Sequence, residues 1–294
     1  MDNLNPDLSD FKHASKSDWE LAAARQLKHD DPSGLLSWSN TEGIPIAPYY
    51  DRSDLVDFEH LRDSFLGGVS HEWKLFIDIS SDDEKLANDK ALKGLMGGAN
   101  GIIFRGSTNA DLSILLQSID TDICQISFIN QSLSIPSTTA FDALHTQNVS
   151  NIVFLDHELP LVSQIKGAVK RAENHKYIFR KANEDFMLEI AALRALRFLL
   201  YKRGHQTVNI HTEIPKKGSE QDQLFLNTTA ALAAVLGGSN SISCPAGLGG
   251  ERIALNVGNI IREEVGLENW TDPLRGSYYL ENLTHTLITK ASMP

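Results

Sequence analysis

Three polar side chains sit where this chain could carry acid–base chemistry. His211 and Glu213 lie two residues apart just past the β-rich run Thr207–Ile210, so on an extended strand they share a face. Asp78 lies near the end of a second such run, Trp73–Ile79. An imidazole and two carboxylates at strand ends suit proton transfer on a small substrate. The plainer reading of His211 is a hydrogen-bonded or solvated strand-end histidine. His211 and Glu213 also make half of a metal site, but no third ligand is evident and no metal is assigned. Gly247-Leu248-Gly249-Gly250 suggests a different chemistry, because it follows a strand and opens a helix. Backbone N–H groups at such a turn can cradle phosphate, which makes Gly247, Gly249 and Gly250 candidate contacts. The run is not a full Gly-x-Gly-x-x-Gly, and no acidic residue follows in a second strand at ribose-binding distance. A flexible loop is the competing reading.

The elements that would position these groups alternate regularly. Short β-branched runs occur at Trp73–Ile79, Gly101–Phe104, Ile123–Ile129, Asn151–Leu155, Lys176–Phe179, Thr207–Ile210 and Asn240–Cys244. Between them fall helical stretches at Asp82–Met96, Asp111–Ser118, Pro160–Asn174, Glu184–Lys202 and Ser219–Leu236, and another stops at Gly266. Strand–helix alternation predicts a parallel sheet, and unalternating apolar strands suit burial on both faces. The fold class expected is α/β, a TIM-type (β/α)8 barrel with one βα unit missed, lost or remodelled. Ahead of it, Ser17-Asp18 is the expected cap of a helix at Trp19–Leu27, and Pro45 and Pro48 forbid helix in an extended, aromatic stretch. The domain organisation predicted is a helix and extended N-terminal arm over 1–70, suited to a subunit contact, and one barrel over 71–294.

Composition narrows the function classes. The formal charge is −11 with no basic block, which disfavours nucleic acid and acidic membranes as partners. No apolar run approaches the ~20 residues that span a bilayer, and the polar first residues show no signal peptide, so cytoplasm is the expected compartment. Cys124 and Cys244 sit in apolar runs and read as buried reduced thiols. Lys166, Lys170 and Arg171 read as a solvated helix face. Arg194 and Arg197, inside an apolar helix, call for carboxylate partners. In Asp272-Pro273-Leu274-Arg275-Gly276-Ser277-Tyr278-Tyr279 the proline and glycine form a turn, and the tyrosines are expected to anchor the last helix.

That string, extended to Thr284, carries a resemblance. So do Leu36-Ser37-Trp38 with Glu42-Gly43-Ile44-Pro45-Ile46, the run Asp185–Ala191 into Leu193-Arg194-Ala195-Leu196-Arg197, and Ala230–Gly238. Together they resemble the acyl-CoA-binding barrel domain of methylmalonyl-CoA mutase, and most of all the non-catalytic small subunit of its two-chain form. The middle, 80–175, matches only in rhythm. The resemblance implies a barrel whose axis is threaded by the pantetheine of a CoA ester. It also implies adenosylcobalamin held elsewhere through an Asp-x-His-x-x-Gly loop, a run this sequence lacks. Residues implied for catalysis are missing too. Phe76-Ile77-Asp78 stand for an Arg-Gln-Tyr run, and His211-Thr212-Glu213 for His-x-Gln. Ile242-Ser243-Cys244-Pro245 stand for Leu-His-Thr-Asn, and a Gly-Tyr-His segment has no counterpart. The implied role is a structural subunit in a heterodimer with a large catalytic subunit that carries the cofactor. Two alternatives stand beside it: a CoA- or phosphate-binding module using Gly247–Gly250, and an independent enzyme using His211, Glu213 and Asp78.

Overall fold

The computed structural model describes residues 14–55, 57–66, 72–80, 82–106, 111–129, 149–151 and 158–293. The chain divides into two units, up to Asp57 and from Phe58 onward. In the first, α1 (Lys16–Leu27) starts from a reciprocal capping box of Ser15 and Asp18, so Ser15 and not Ser17 is the cap. α2 (Pro32–Leu36) has Pro32 in its first turn and Asp31 accepting from the Gly34 N–H. Two short strands, β1 (Trp38–Ser39) and β2 (Pro45–Ile46), pair antiparallel. The turn between them is held by the Asn40 side chain, which accepts from the Glu42 and Ile44 N–H groups. Trp19 stacks on Tyr49 at 5.4 Å, and Lys16 meets Asp54 at 2.8 Å.

The second unit opens with α3 (Glu59–Arg62), and residues 58–66 therefore group with the sheet, not with the arm as expected. The chain then runs β3 (Lys74–Ser80), α4 (Glu84–Met96), β4 (Gly101–Arg105), α5 (Leu112–Leu115), β5 (Gln125–Ile129) and β6 (Val149–Asn151). It continues α6 (Leu161–Arg171), β7 (Tyr177–Lys181), α7 (Phe186–Lys202), β8 (Asn209–Glu213), α8 (Glu220–Gly237), β9 (Ser241–Ser243), α9 (Gly250–Ile260) and α10 (Tyr278–Ser292). Most of the expected strand Asn151–Leu155 lies outside the described residues.

The seven strands from β3 to β9 form one sheet in the order β6-β5-β4-β3-β9-β8-β7, every pairing parallel. This order shows how the sheet is wound. From β3 the chain steps outward to β6, then re-enters at the far edge and steps inward until β9 lies beside β3. The last strand pairing with the first, with every step in one sense, is the winding of a barrel cut at one seam, here between β6 and β7. The sheet is also curled. β4 and β8 stand three strands apart, ~14 Å in a flat sheet, yet Arg105 of β4 bonds Glu213 of β8 at 2.6 Å.

β8 begins two residues later than the sequence predicts. Val208 is tied into a turn by its N–H to His205 O, and the first ladder bond is Asn209 N–H to Lys176 O. β8 also runs on to Glu213, three residues past the expected end, so His211 is mid-strand and Glu213 stands at the strand end.

Outside the curl, α4 and α5 bury Ala87, Ala91 and Leu115 against Ile79, Ile102, Phe104 and Ile126 of β3, β4 and β5. α7 and α8 approach so closely that a Cβ on Gly237 would stand 2.7 Å from the Leu193 Cβ. No helix among the described residues is long and apolar enough to cross a membrane.

The two arginines of α7 have different fates. Arg194 is fully buried and holds Asp272 at 2.5 Å and Glu281 at 2.7 Å. Glu281, on α10, also accepts from His60 Nε2 and the Gly276 N–H. Burial works against the Glu281 charge, but these donors outweigh it and hold its pKa below the ordinary value. Among the described residues Arg197 meets no carboxylate, contrary to expectation. It donates to Gly238 O at 2.8 Å, Val208 O at 2.7 Å and Asn240 Oδ1, and burial lowers its pKa to about 9. Three carbonyl acceptors, one each for Nε, Nη1 and Nη2, stand in place of an anion and take three of its five N–H donors. Of the two tyrosines expected to anchor α10, Tyr278 is 41% exposed and Tyr279 half-buried, and Leu280, Leu283 and Leu287 are among the helix's buried side chains. We predict that Arg194→Met costs about 3–5 kcal/mol in urea unfolding, because it strands two carboxylates away from water. Adding Glu281→Gln should recover part of that loss.

Candidate functional site

The C-terminal ends of β3, β4, β8 and β9 converge on the inside of the curl. There the candidates Asp78 and Glu213 are brought together by a residue that the sequence reading passed over, Arg105. Its Nε donates to Asp78 Oδ2 at 2.6 Å and its Nη2 to Glu213 Oε2 at 2.6 Å, closing an ionic layer across the mouth. Burial opposes the Arg105 charge, but the two carboxylates outweigh it and hold its pKa above the ordinary value. Burial pushes the Asp78 carboxyl up, against the pull of Arg105. Both carboxylates accept from the Arg105 guanidinium, so an oxygen of each is engaged while Arg105 stays in place.

One layer deeper lies His211, 2% exposed. Phe179 stacks on its ring at 4.4 Å and Phe76 meets it edge-on at 5.2 Å. Its Nδ1 is 2.9 Å from Ser241 Oγ and its Nε2 3.0 Å from Ser243 Oγ. Both ring nitrogens are thus engaged by hydroxyls inside an aromatic cage. Burial, aided by Arg105, lowers its pKa to about 3, so the ring is neutral over the physiological range. Phe76, Ile103 and Phe179 are all buried and form one cluster across β3, β4 and β7. Gly101 permits it: a Cβ there would fall 2.5 Å from the Phe76 ring.

A cavity of about 250 Å³ remains beside the ionic layer, with Asp78, Glu213, Lys216, Cys244, Ala246 and Glu251 among its lining residues. Gly247, Gly249 and Gly250 are not among those lining it. Leu248 N–H donates to Glu220 O of α8, and Gly250 N–H to Gly247 O, so two loop donors are spent inside the protein. Gly249 takes φ +78° to start α9 without a side-chain cap. Both cysteines are free thiols, Cys124 buried as expected and Cys244, contrary to expectation, only half-buried on the cavity wall; burial raises their pKa values, to about 11 and about 12. Arg105 was findable in principle. It follows Phe104 at the end of a predicted strand, and charged strand-end residues are where barrel chemistry gathers.

Residues 170–293, from just before β7 to the end of α10, match the family described as methylmalonyl-CoA mutase. The mutase of Cereibacter sphaeroides is 23% identical over 93% of this chain, and that of Escherichia coli is 34% identical over 36%. The C-terminal part of the chain, residues 170–293, is thus similar to the methylmalonyl-CoA mutase family. The chain spans 57% of the length of the Cereibacter relative, and its match to the Escherichia protein covers 18% of that one. Among solved structures, a dihydropteroate synthase from Stenotrophomonas maltophilia overlaps 66% of this chain and 93% of its own. At 12% identity and a TM-score of 0.40 that likeness carries no argument. The family match contains the whole Arg194–Asp272–Glu281 network and the His211 strand. It stops short of β3 and β4, which supply Asp78 and Arg105.

Side chains, not a passage, occupy the interior at two successive levels. We predict that His211 makes stability fall with acid. A histidine whose folded pKa is depressed contributes stability that is full above its unfolded pKa of ~6.5 and is lost as pH falls toward about 3. Urea unfolding between pH 7 and pH 5 should lose about 1.4 kcal/mol per pH unit below that onset. His211→Gln should flatten the slope.

Proposed function

We propose that this chain is the non-catalytic subunit of a heterodimeric methylmalonyl-CoA mutase, with a structural role. The partner would carry adenosylcobalamin and convert (R)-methylmalonyl-CoA to succinyl-CoA. The family similarity supports a mutase-related role. One observation carries the finer reading, the filling of the barrel axis. Phe76, Ile103, Phe179 and His211 stand where the resemblance would thread pantetheine, and the Asp78–Arg105–Glu213 layer lies over them.

The chemistry of the remaining groups points the same way. His211 is neutral, caged and bonded on both nitrogens, so it can neither ligate cobalt nor shuttle a proton. No Asp-x-His-x-x-Gly run occurs in the 294 residues. The residues present do not fit the cofactor, and no reaction step is assigned to them. An independent enzyme built on His211, Glu213 and Asp78 finds no support in this geometry, and the Gly247–Gly250 loop shows no free cradle over the cavity.

The chain alone is expected to bind no methylmalonyl-CoA by calorimetry and to show no mutase turnover with adenosylcobalamin. Mixed with the large subunit from the same genome, it should co-elute and activity should appear in the pair. Turnover or acyl-CoA binding by the chain alone would overturn the proposal.

A further inference from the structure

Between β3 and β8 the sheet has a gap. β9 ends at Ser243, level with Phe76 of β3 and Glu213 of β8, while β3 runs on to Ser80. Beyond Ser243 the chain turns away through Cys244, Pro245 and Ala246, and these residues line the cavity of about 250 Å³ beside the ionic layer. Leu75, which packs on Gly258 of α9, and Phe76, which meets His211 inside the curl, line it too. The cavity therefore passes through the sheet where β9 stops short, beside the filled axis and not along it.

Its polar groups are only partly used. On the sheltered side, Asp78 and Glu213 are 25% and 18% exposed, and Arg105 takes one oxygen of each, Oδ2 and Oε2. Asp78 Oδ1 and Glu213 Oε1 accept no hydrogen bond among the described residues. On the open side, Lys216 is exposed and makes neither a hydrogen bond nor an ion pair among the described residues. Glu251, also in the wall, has Lys90 at 3.5 Å. The rest of the wall is largely apolar, with Ile77, Ile214, Ala254 and Leu255.

This distribution of charge selects the ligand. A metal ion finds no group of three ligating side chains among the described residues. A simple anion would suit Lys216 but would face the free carboxylate oxygens, and a simple amine would suit those oxygens but leave Lys216 unanswered. A molecule with both ends meets each group. An ammonium has three N–H donors, enough for both free oxygens, and a carboxylate accepts from Lys216 through a charge-assisted bond. The volume lies below the ~300 Å³ at which drug-sized pockets begin, so the molecule is small. We propose that this cavity binds a free amino acid. Its ammonium sits between Asp78 and Glu213, its side chain lies on the apolar wall, and its carboxylate meets Lys216. The site does not depend on the subunit reading above.

The test uses the full chain and the proteinogenic amino acids one by one at about 10 mM, where a ligand of millimolar Kd should raise Tm by roughly 3 °C. Calorimetry then compares the best amino acid with the matched amine that lacks its carboxylate and the matched acid that lacks its amine. Each half-ligand should bind roughly tenfold more weakly or worse, because each loses a charge-assisted bond. Lys216→Glu, a change at an exposed position, should weaken the amino acid roughly tenfold or more and make the matched amine the better ligand of the two. Ala254→Phe should fill the cavity and abolish binding. If Ala254→Phe misfolds by circular dichroism, Lys216→Glu decides. The proposal is overturned if no amino acid raises Tm, if a half-ligand binds as tightly as the whole, or if Lys216→Glu leaves affinity and preference unchanged. Each of those results leaves the subunit reading standing, since pairing with the large subunit tests that separately.

Discussion

Two carboxylates and one guanidinium, sealed from water, hold the second half of this molecule in register. Arg194 emerges from the middle of α7, the most buried helix, and would be intolerable there without counter-charges. Asp272 reaches it from the turn before α10, and Glu281 from the first turn of α10 itself. Glu281 in turn takes the His60 imidazole and the Gly276 N–H. Four separate stretches of chain are therefore tied to one point, with each charge answered by another. The DPLRGSYY string is explained by this constraint. Its proline and glycine shape the turn, its aspartate is a ligand of Arg194, and its arginine fastens α3 through Leu61 O.

With that half in place, β7, β8 and β9 follow α6, α7 and α8 round to meet β3, and the sheet curls. Curling forces inward-facing side chains together, and their size then decides what the interior can hold. Small polar residues would leave a channel. Here Phe76, Ile103 and Phe179 meet with His211 among them, and Ser241 and Ser243 supply the hydroxyls that let the imidazole be buried neutral. Above them Arg105 satisfies both Asp78 and Glu213. An ionic layer over an apolar one is a stable filling for a barrel, because no buried charge is left without a partner. A ligand along the same axis would have to displace both layers.

Much of this was legible in the chain. Strand–helix alternation located six of the seven strands to within two or three residues, the expected strand Asn151–Leu155 lying mostly outside the described residues, since β-branched runs bounded by glycine and polar turns leave few alternatives. The buried arginine of α7 announced a carboxylate partner, and Arg194 has two. The misreadings are local and physical. Ser15 caps α1 because its capping box with Asp18 satisfies donors on both sides. Arg197 found carbonyls at the end of α8 and before β8 in place of an anion, which no helical pattern discloses. His211 lies mid-strand because β8 goes on pairing with β7 and β9 as far as Glu213, past the apolar run that the sequence shows.

Local patterning by itself determined the α/β class, the residues of each strand that are apolar, and the family to which the last 120 or so residues are similar. Those are properties of neighbours in sequence, set by propensity, periodicity and turn chemistry. Only the tertiary structure decided that β9 closes on β3, and that Arg105 bridges carboxylates 27 and 108 residues away. It alone decided that His211 is caged and not poised. Such outcomes depend on curl and on which side chains meet across the interior. No window of sequence contains both partners of those contacts.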